Sequence, residues 1–156
     1  MKKAICLLIS AVLMSAVSCF AQDVPTGFSP LSELKDVQAK ATLDGKLVVL
    51  VVKGIGYAAY VESAFKTGNN SIGGGVEKIF TRPDEINNAD KSAFPQALKD
   101  RLKKGAFSTG SAVTFIVFDS KMTKIFAEAN GRDLLEDRKL NNEFKKKVQE
   151  AKKTLK

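Results

Sequence analysis

The chain has no histidine and no tryptophan, and its only two cysteines, Cys6 and Cys19, fall within the first 21 of its 156 residues. Without histidine, a Ser-His-Asp or Cys-His site cannot be assembled, and the usual zinc and haem ligand sets lose a member. Without tryptophan, the aromatic platform on which a glycosidase stacks sugar is missing. If the N-terminal stretch is removed, no thiol remains, and disulfide exchange is excluded with it. The sequence therefore predicts no metal, no cofactor and no enzymatic activity.

That N-terminal stretch reads as an export signal: Lys2 and Lys3 precede an uncharged apolar run from Ala4 to Val17 that ends in small residues. The run falls short of the roughly 20 apolar residues a membrane span needs, and no second candidate follows. Two endings compete. Cys19 and Ala21 place small side chains three residues and one residue before a cut ahead of Gln22. Alternatively, Ala16-Val17-Ser18-Cys19 resembles a bacterial lipoprotein box in which Cys19 becomes the lipidated first residue. Either ending discards Cys6 and predicts an exported protein of the bacterial periplasm or cell envelope, soluble or held by a lipid. Disulfides are permitted there, yet none can form within the domain.

Cutting after Ala21 leaves 135 residues, enough for one domain that needs no staple. The formal net charge of +8 falls to +6 without Lys2 and Lys3, and the whole surplus lies at one end. From Arg138 to Lys156 there are eight basic residues against Glu143 and Glu150. Such a segment is either a solubilising surface or a means of holding anionic lipid or another polyanion, with Lys145, Lys146, Lys147, Lys152 and Lys153 as the contacts. Nucleic acid is excluded by the compartment and by the lack of interleaved exposed aromatics.

Along the chain, residues 22–28 form a short leader in which Pro25 and Gly27 discourage regular structure. A single domain over residues 29–156 then follows. Ser29 and Pro30 supply the cap and first position of a helix that Asp44-Gly45 ends. Leu47 to Val52 is an unbroken apolar run of six, mostly β-branched, as a strand buried on both faces requires. After Gly54-Ile55-Gly56, the spacing of Val61, Ala64 and Phe65 predicts a helix over Tyr57 to Lys66, followed by a flexible loop from Gly68 to Gly75. Val76 to Arg82 has strand character, Asp84 to Ser92 reads as irregular, and Pro95 starts a short helix bearing Leu98 and Leu102. Ala112 to Phe118 and Thr123 to Ala129 predict a hairpin. The last helix carries Leu140, Phe144, Val148, Ala151 and Leu155 on one stripe, which is needed to close the sheet and is not free for a membrane.

This order of strand, helix, strand, helix, hairpin and final helix resembles the thioredoxin fold. The segment from Leu43 to Tyr60 resembles exported thioredoxin-like proteins, and Ser111 to Asp119 is similar to the family's strand after its cis-proline. The resemblance implies an α/β fold, a thioredoxin-like three-layer sandwich with a central mixed four-stranded sheet and helices on both faces. It also marks two departures. Where the family carries Cys-x-x-Cys, this chain reads Tyr57-Ala58-Ala59-Tyr60, and the cis-proline position falls near Val113. A phenol offers no sulfur and, with an ordinary pKa of about 10, little anion at neutral pH. A cis bond before a residue other than proline costs about 3 kcal/mol, so a trans bond is expected there.

The resemblance thus implies a redox-inactive module for protein binding or structure. Tyr57, Tyr60 and Val113 mark the edge where a partner chain is expected to lie. Plain packing of a helix start is the competing expectation for both tyrosines. Other patterns fail on spacing. Gly73-Gly74-Gly75 lacks the Gly-Lys-Ser/Thr ending of a phosphate loop, and Asp84, Glu85 and Asp90 do not match a calcium loop. Asp133, Glu136 and Asp137 suit the positive end of the last helix.

Overall fold

The apolar run beginning at Leu47 forms the middle of a sheet, as its lack of a polar face requires. The computed structural model describes residues 24–56, 58–110 and 112–155. The expected export signal with Cys6 and Cys19 lies outside them, as do Tyr57, Ser111 and Lys156. In chain order the strands are β1 (Ser29–Pro30), β2 (Leu47–Lys53), β3 (Val76–Thr81), β4 (Val113–Phe118) and β5 (Ile125–Asn130). The helices are α1 (Leu34–Asp44), α2 (Ala58–Ile72), α3 (Pro83–Asn88), α4 (Gln96–Lys103), α5 (Gly131–Glu136) and α6 (Arg138–Thr154).

The strands lie in the order β1-β3-β2-β4-β5, with β1, β3 and β2 parallel and with β4 and β5 antiparallel to their neighbours. Because side chains alternate along a strand, β2 feeds two cores. Val48, Leu50 and Val52 join Ile79, Ile116 and Phe118 beneath Leu34, Val37 and Ala41 of α1, Ile86 of α3 and Leu98 of α4. Leu47, Val49 and Val51 join Phe115 and Val117 against Val61, Ala64 and Ile72 of α2, Leu134 of α5 and Phe144, Val148 and Ala151 of α6. The result is an α/β molecule in which a mixed sheet separates two helical layers.

Five local expectations give way. Ser29 and Pro30 do not open a helix; they pair with Ile79 and Phe80 as a two-residue edge strand, so the sheet has five strands instead of four. Pro30 is extended (φ −69°, ψ 162°), and an edge strand tolerates its missing N–H. The leader is not loose at its end, because Phe28 packs on Phe65 and Phe80 with ring centroids 5.6 and 6.3 Å away. Asp84 to Ser92 is not irregular: Pro83 begins α3, and Lys91–Ala93 adds a 3-10 turn. The last helix is two, since Asn130 caps α5 through Arg132 N (2.9 Å) and Asp137 caps α6 through Lys139 N (2.7 Å).

The fifth correction concerns Gly68, which was expected to begin a loop. Instead α2 runs on to Ile72 and ends at Gly73, whose φ of 68° is left-handed. Gly68 is buried, and a Cβ there would drive into the ring of Phe115. It is required by packing rather than by a turn. On helix propensity alone Gly68→Ala gains about 1 kcal/mol, whereas overpacking costs about 1–3 kcal/mol. Overpacking against a side chain with no exposure should win. Urea unfolding is expected to show Gly68→Ala destabilised, part of the loss recovered by Phe115→Leu in the same chain, and Gly74→Ala within about 0.5 kcal/mol of the parent.

Candidate functional site

β2 and β3 run parallel, so their carboxyl ends share one edge of the sheet, where crevices in α/β folds form. The chain leaves β2 through Gly54, Ile55 and Gly56 and enters α2. Gly54 N donates to Ala112 O at 2.8 Å, and a Cβ at Gly54 would collide with the carbonyl oxygen of Gly110. Only glycine lets these two connections lie so close. Between them and the sheet is a cavity of about 300 Å³, lined by the Gly54–Gly56 connection, Val61 and Glu62 of α2, and Lys53, Phe80 and Arg82 at the strand ends.

Lys53 forms an ion pair with Glu62 and lies over the Phe65 ring, 5.3 Å from its centroid. Ile55 belongs to the same lining and is 68% exposed. The lining holds cations, one carboxylate, backbone amides and apolar surface. Such a set can bind and orient a ligand.

The tyrosine edge is partly described. Tyr57 lies outside the described residues. Tyr60, half-buried near the start of α2, donates its hydroxyl to Glu136 at the end of α5 (3.0 Å), and Glu136 also meets Arg132 at 3.2 Å. Burial first, and then the bond to Glu136, raises the Tyr60 phenol above its ordinary value. The same bond, followed by that to Arg132, lowers the Glu136 carboxyl. Tyr60 therefore ties α2 to α5. Val113 is wholly buried at the start of β4, pairs with Lys53 in the sheet, and leaves no side-chain surface for a partner.

The basic residues of α6 do not converge. Counting from the buried Phe144, Lys145, Lys146 and Lys147 point about 100°, 200° and 300° around the helix, with Lys152 and Lys153 at about 80° and 180°. Lys146 faces Glu150 at 3.9 Å. Lys152 turns inward and donates to Ile72 O (2.7 Å) and Gly74 O (2.8 Å), satisfying carbonyls where α2 ends, and burial lowers its pKa. Among the described residues no helix is long and apolar enough to cross a membrane.

The acids have local work. Glu85 accepts from Thr81 Oγ1 at 2.6 Å, Asp90 caps the 3-10 turn through Ser92 N at 2.9 Å, and Asp137 caps α6. Among the described residues no cluster of acids could hold a metal ion. Gly73 and Gly75 take positive φ around the end of α2, whose carbonyls Lys152 covers. What the sequence reading passed over is the group Lys53, Ile55, Glu62 and Arg82. Its one legible signal was an isoleucine between two glycines just past a buried strand, a place where a hydrophobic side chain has no core to enter.

Two outcomes test these assignments. Lys152→Gln should lower stability by about 1–2 kcal/mol, since it removes a charged donor from two carbonyls, while Lys145→Gln leaves the urea midpoint unchanged. The Tyr60–Glu136 bond contributes at both ends of the pH scale. Glu136, lowered in the fold, adds stability that is full above pH 4.5 and is lost as pH falls through its folded value. Tyr60, raised in the fold, adds stability that is full below pH 10.0 and is lost as pH climbs through its folded value. Urea midpoints measured against pH should therefore fall less steeply at both extremes in Tyr60→Phe than in the parent. No family model, curated protein or solved structure matches the chain, so its function is to be sought in the residues of this edge.

Proposed function

We propose that the chain is a redox-inactive, thioredoxin-like binding module of the bacterial cell envelope, which holds a partner protein at the carboxyl edge of its parallel strands. The observation that carries this is the cavity beside Ile55, an apolar side chain 68% exposed on a connection that Gly54 fixes in place. Support for the fold assignment comes from the succession β2, α2, β3, α4, β4, β5 and α6, which keeps the strand, helix, strand, helix, hairpin and helix order of thioredoxins. Support for the missing redox step comes from Tyr60, a phenol bonded to Glu136 where that family has a thiol. The export signal over residues 1–21 supplies the compartment, with Cys19 either removed or lipidated.

Two exposed aliphatic residues give a matched test. Leu43 is 88% exposed at the end of α1, beside the amino end of β2, whereas Ile55 follows its carboxyl end, about 20 Å away along the strand. A photoreactive phenylalanine placed at position 55 in cells should yield a discrete cross-linked product that position 43 does not. Tyr60→Ala in the same chain should weaken that product while circular dichroism stays unchanged. The same product from both positions, or none from 55, overturns the proposal, as does reduction of insulin disulfides by the purified exported form.

A further inference from the structure

We propose that the cavity between the Gly54–Gly56 connection, α2 and the end of β3 binds an organic carboxylate, a singly charged anion with an apolar body. This rests on the reading that the carboxyl edge of the sheet is the binding face, and adds the chemistry that the edge recognises.

Charge decides the class of ligand. Lys53 and Glu62 neutralise each other across the lining. Arg82 has no carboxylate within 4.0 Å among the ion pairs of the described residues. Glu85 accepts from Thr81 Oγ1 and from the backbone N–H of Arg82, and it does not line the cavity. Among its described residues the lining therefore carries one surplus positive charge, on the side chain whose planar fork of donors matches a carboxylate. A doubly charged phosphate leaves its second charge unmatched and close to Glu62. The backbone N–H groups of Ile55 and Gly56 find no acceptor among the described residues, and α2 has no acid in its first turn to offset its positive end.

Shape agrees with charge. Val61 and Phe80, 2% and 4% exposed, present an apolar wall, and Ile55 stands at the rim. A volume of about 300 Å³ is at the small end for ligand sites, enough for a carboxylate with one aliphatic side chain. An acylated amino acid and the last residue of a protein chain share this chemistry.

The test uses the exported full-length chain, titrated by amide NMR with N-acetyl-leucine, N-acetyl-leucinamide, inorganic phosphate, and one peptide ending in leucine as free acid or amide. N-acetyl-leucine should shift the amides of Gly54, Ile55, Gly56 and Glu62, with the leucinamide and phosphate each binding at least about tenfold more weakly. Arg82→Gln should lose about tenfold in affinity and Arg82→Lys less, both with unchanged circular dichroism. Tighter binding of the free-acid peptide than of N-acetyl-leucine identifies chain ends as the source; equal binding identifies small acids. Equal binding of acid and amide, tighter binding of phosphate, or no effect of folded Arg82→Gln overturns the inference. If the carboxylate fails while position 55 still cross-links its partner, only this inference falls; if the cross-link fails while the carboxylate binds, only the protein-partner proposal does.

Discussion

Every layer of the molecule answers to a strand that has no side it can show to water. From Leu47 to Val52 the side chains of β2 point alternately to two faces, and all six are buried. Burying a single aliphatic side chain stabilises by about 1.5–3 kcal/mol, so neither face can be left open without forfeiting a sizeable part of a typical domain's net stability. One helical layer would cover only half of the strand. The two layers, the central place of β2 between β3 and β4, and the demand for small residues where helices press on the sheet all follow from this one constraint. Gly68 against Phe115 is such a point, and so is Gly131, where a Cβ would lie 3.1 Å from Val113 Cβ and 3.2 Å from Ala64 Cβ.

The two ends of the sheet have different fates. At the amino ends of β2 and β3, Lys46 bridges Asp44 and Glu77 at 2.8 and 3.0 Å, and Lys152 covers the carbonyls that end α2. Charges there are matched by neighbours. At the carboxyl ends, Gly54 draws the connection tight against Gly110 and Ala112, and a cavity of about 300 Å³ lies among the described residues there. A crevice that holds Arg82, without an ion-pair partner among the described residues, and the exposed Ile55 is what a folding constraint alone does not require.

Much of the fold was legible because the strands are long apolar runs and the last helix has a clean stripe. β2, β3 and the β4–β5 hairpin lie where their composition puts them, give or take two residues. The misreadings share a cause: each concerned glycine, proline or polar residues whose meaning depends on partners far along the chain. Gly68 reads as a loop until Phe115, 47 residues later, is known to press on it. Pro30 reads as a helix start until β3 offers an edge to pair with. The site was less legible still. The tyrosines drew attention through their place relative to a family pattern, yet Val113 proved to be interior and Lys152 a cap. Lys53, Glu62 and Arg82 are brought together only by the parallel pairing of β2 and β3, which nothing local encodes.

The reach of Lys152 joins the fates of two helices that sequence separates by more than sixty residues. Were the C-terminal turns of α6 to peel away, the carbonyls of Ile72 and Gly74 would lose their donor, and the last turn of α2 would be stripped of its stopper. Fraying at the tail is then not a private event. It loosens the buried layer around Ile72 in the same step, so these segments open and close as one cooperative unit rather than as independent ends.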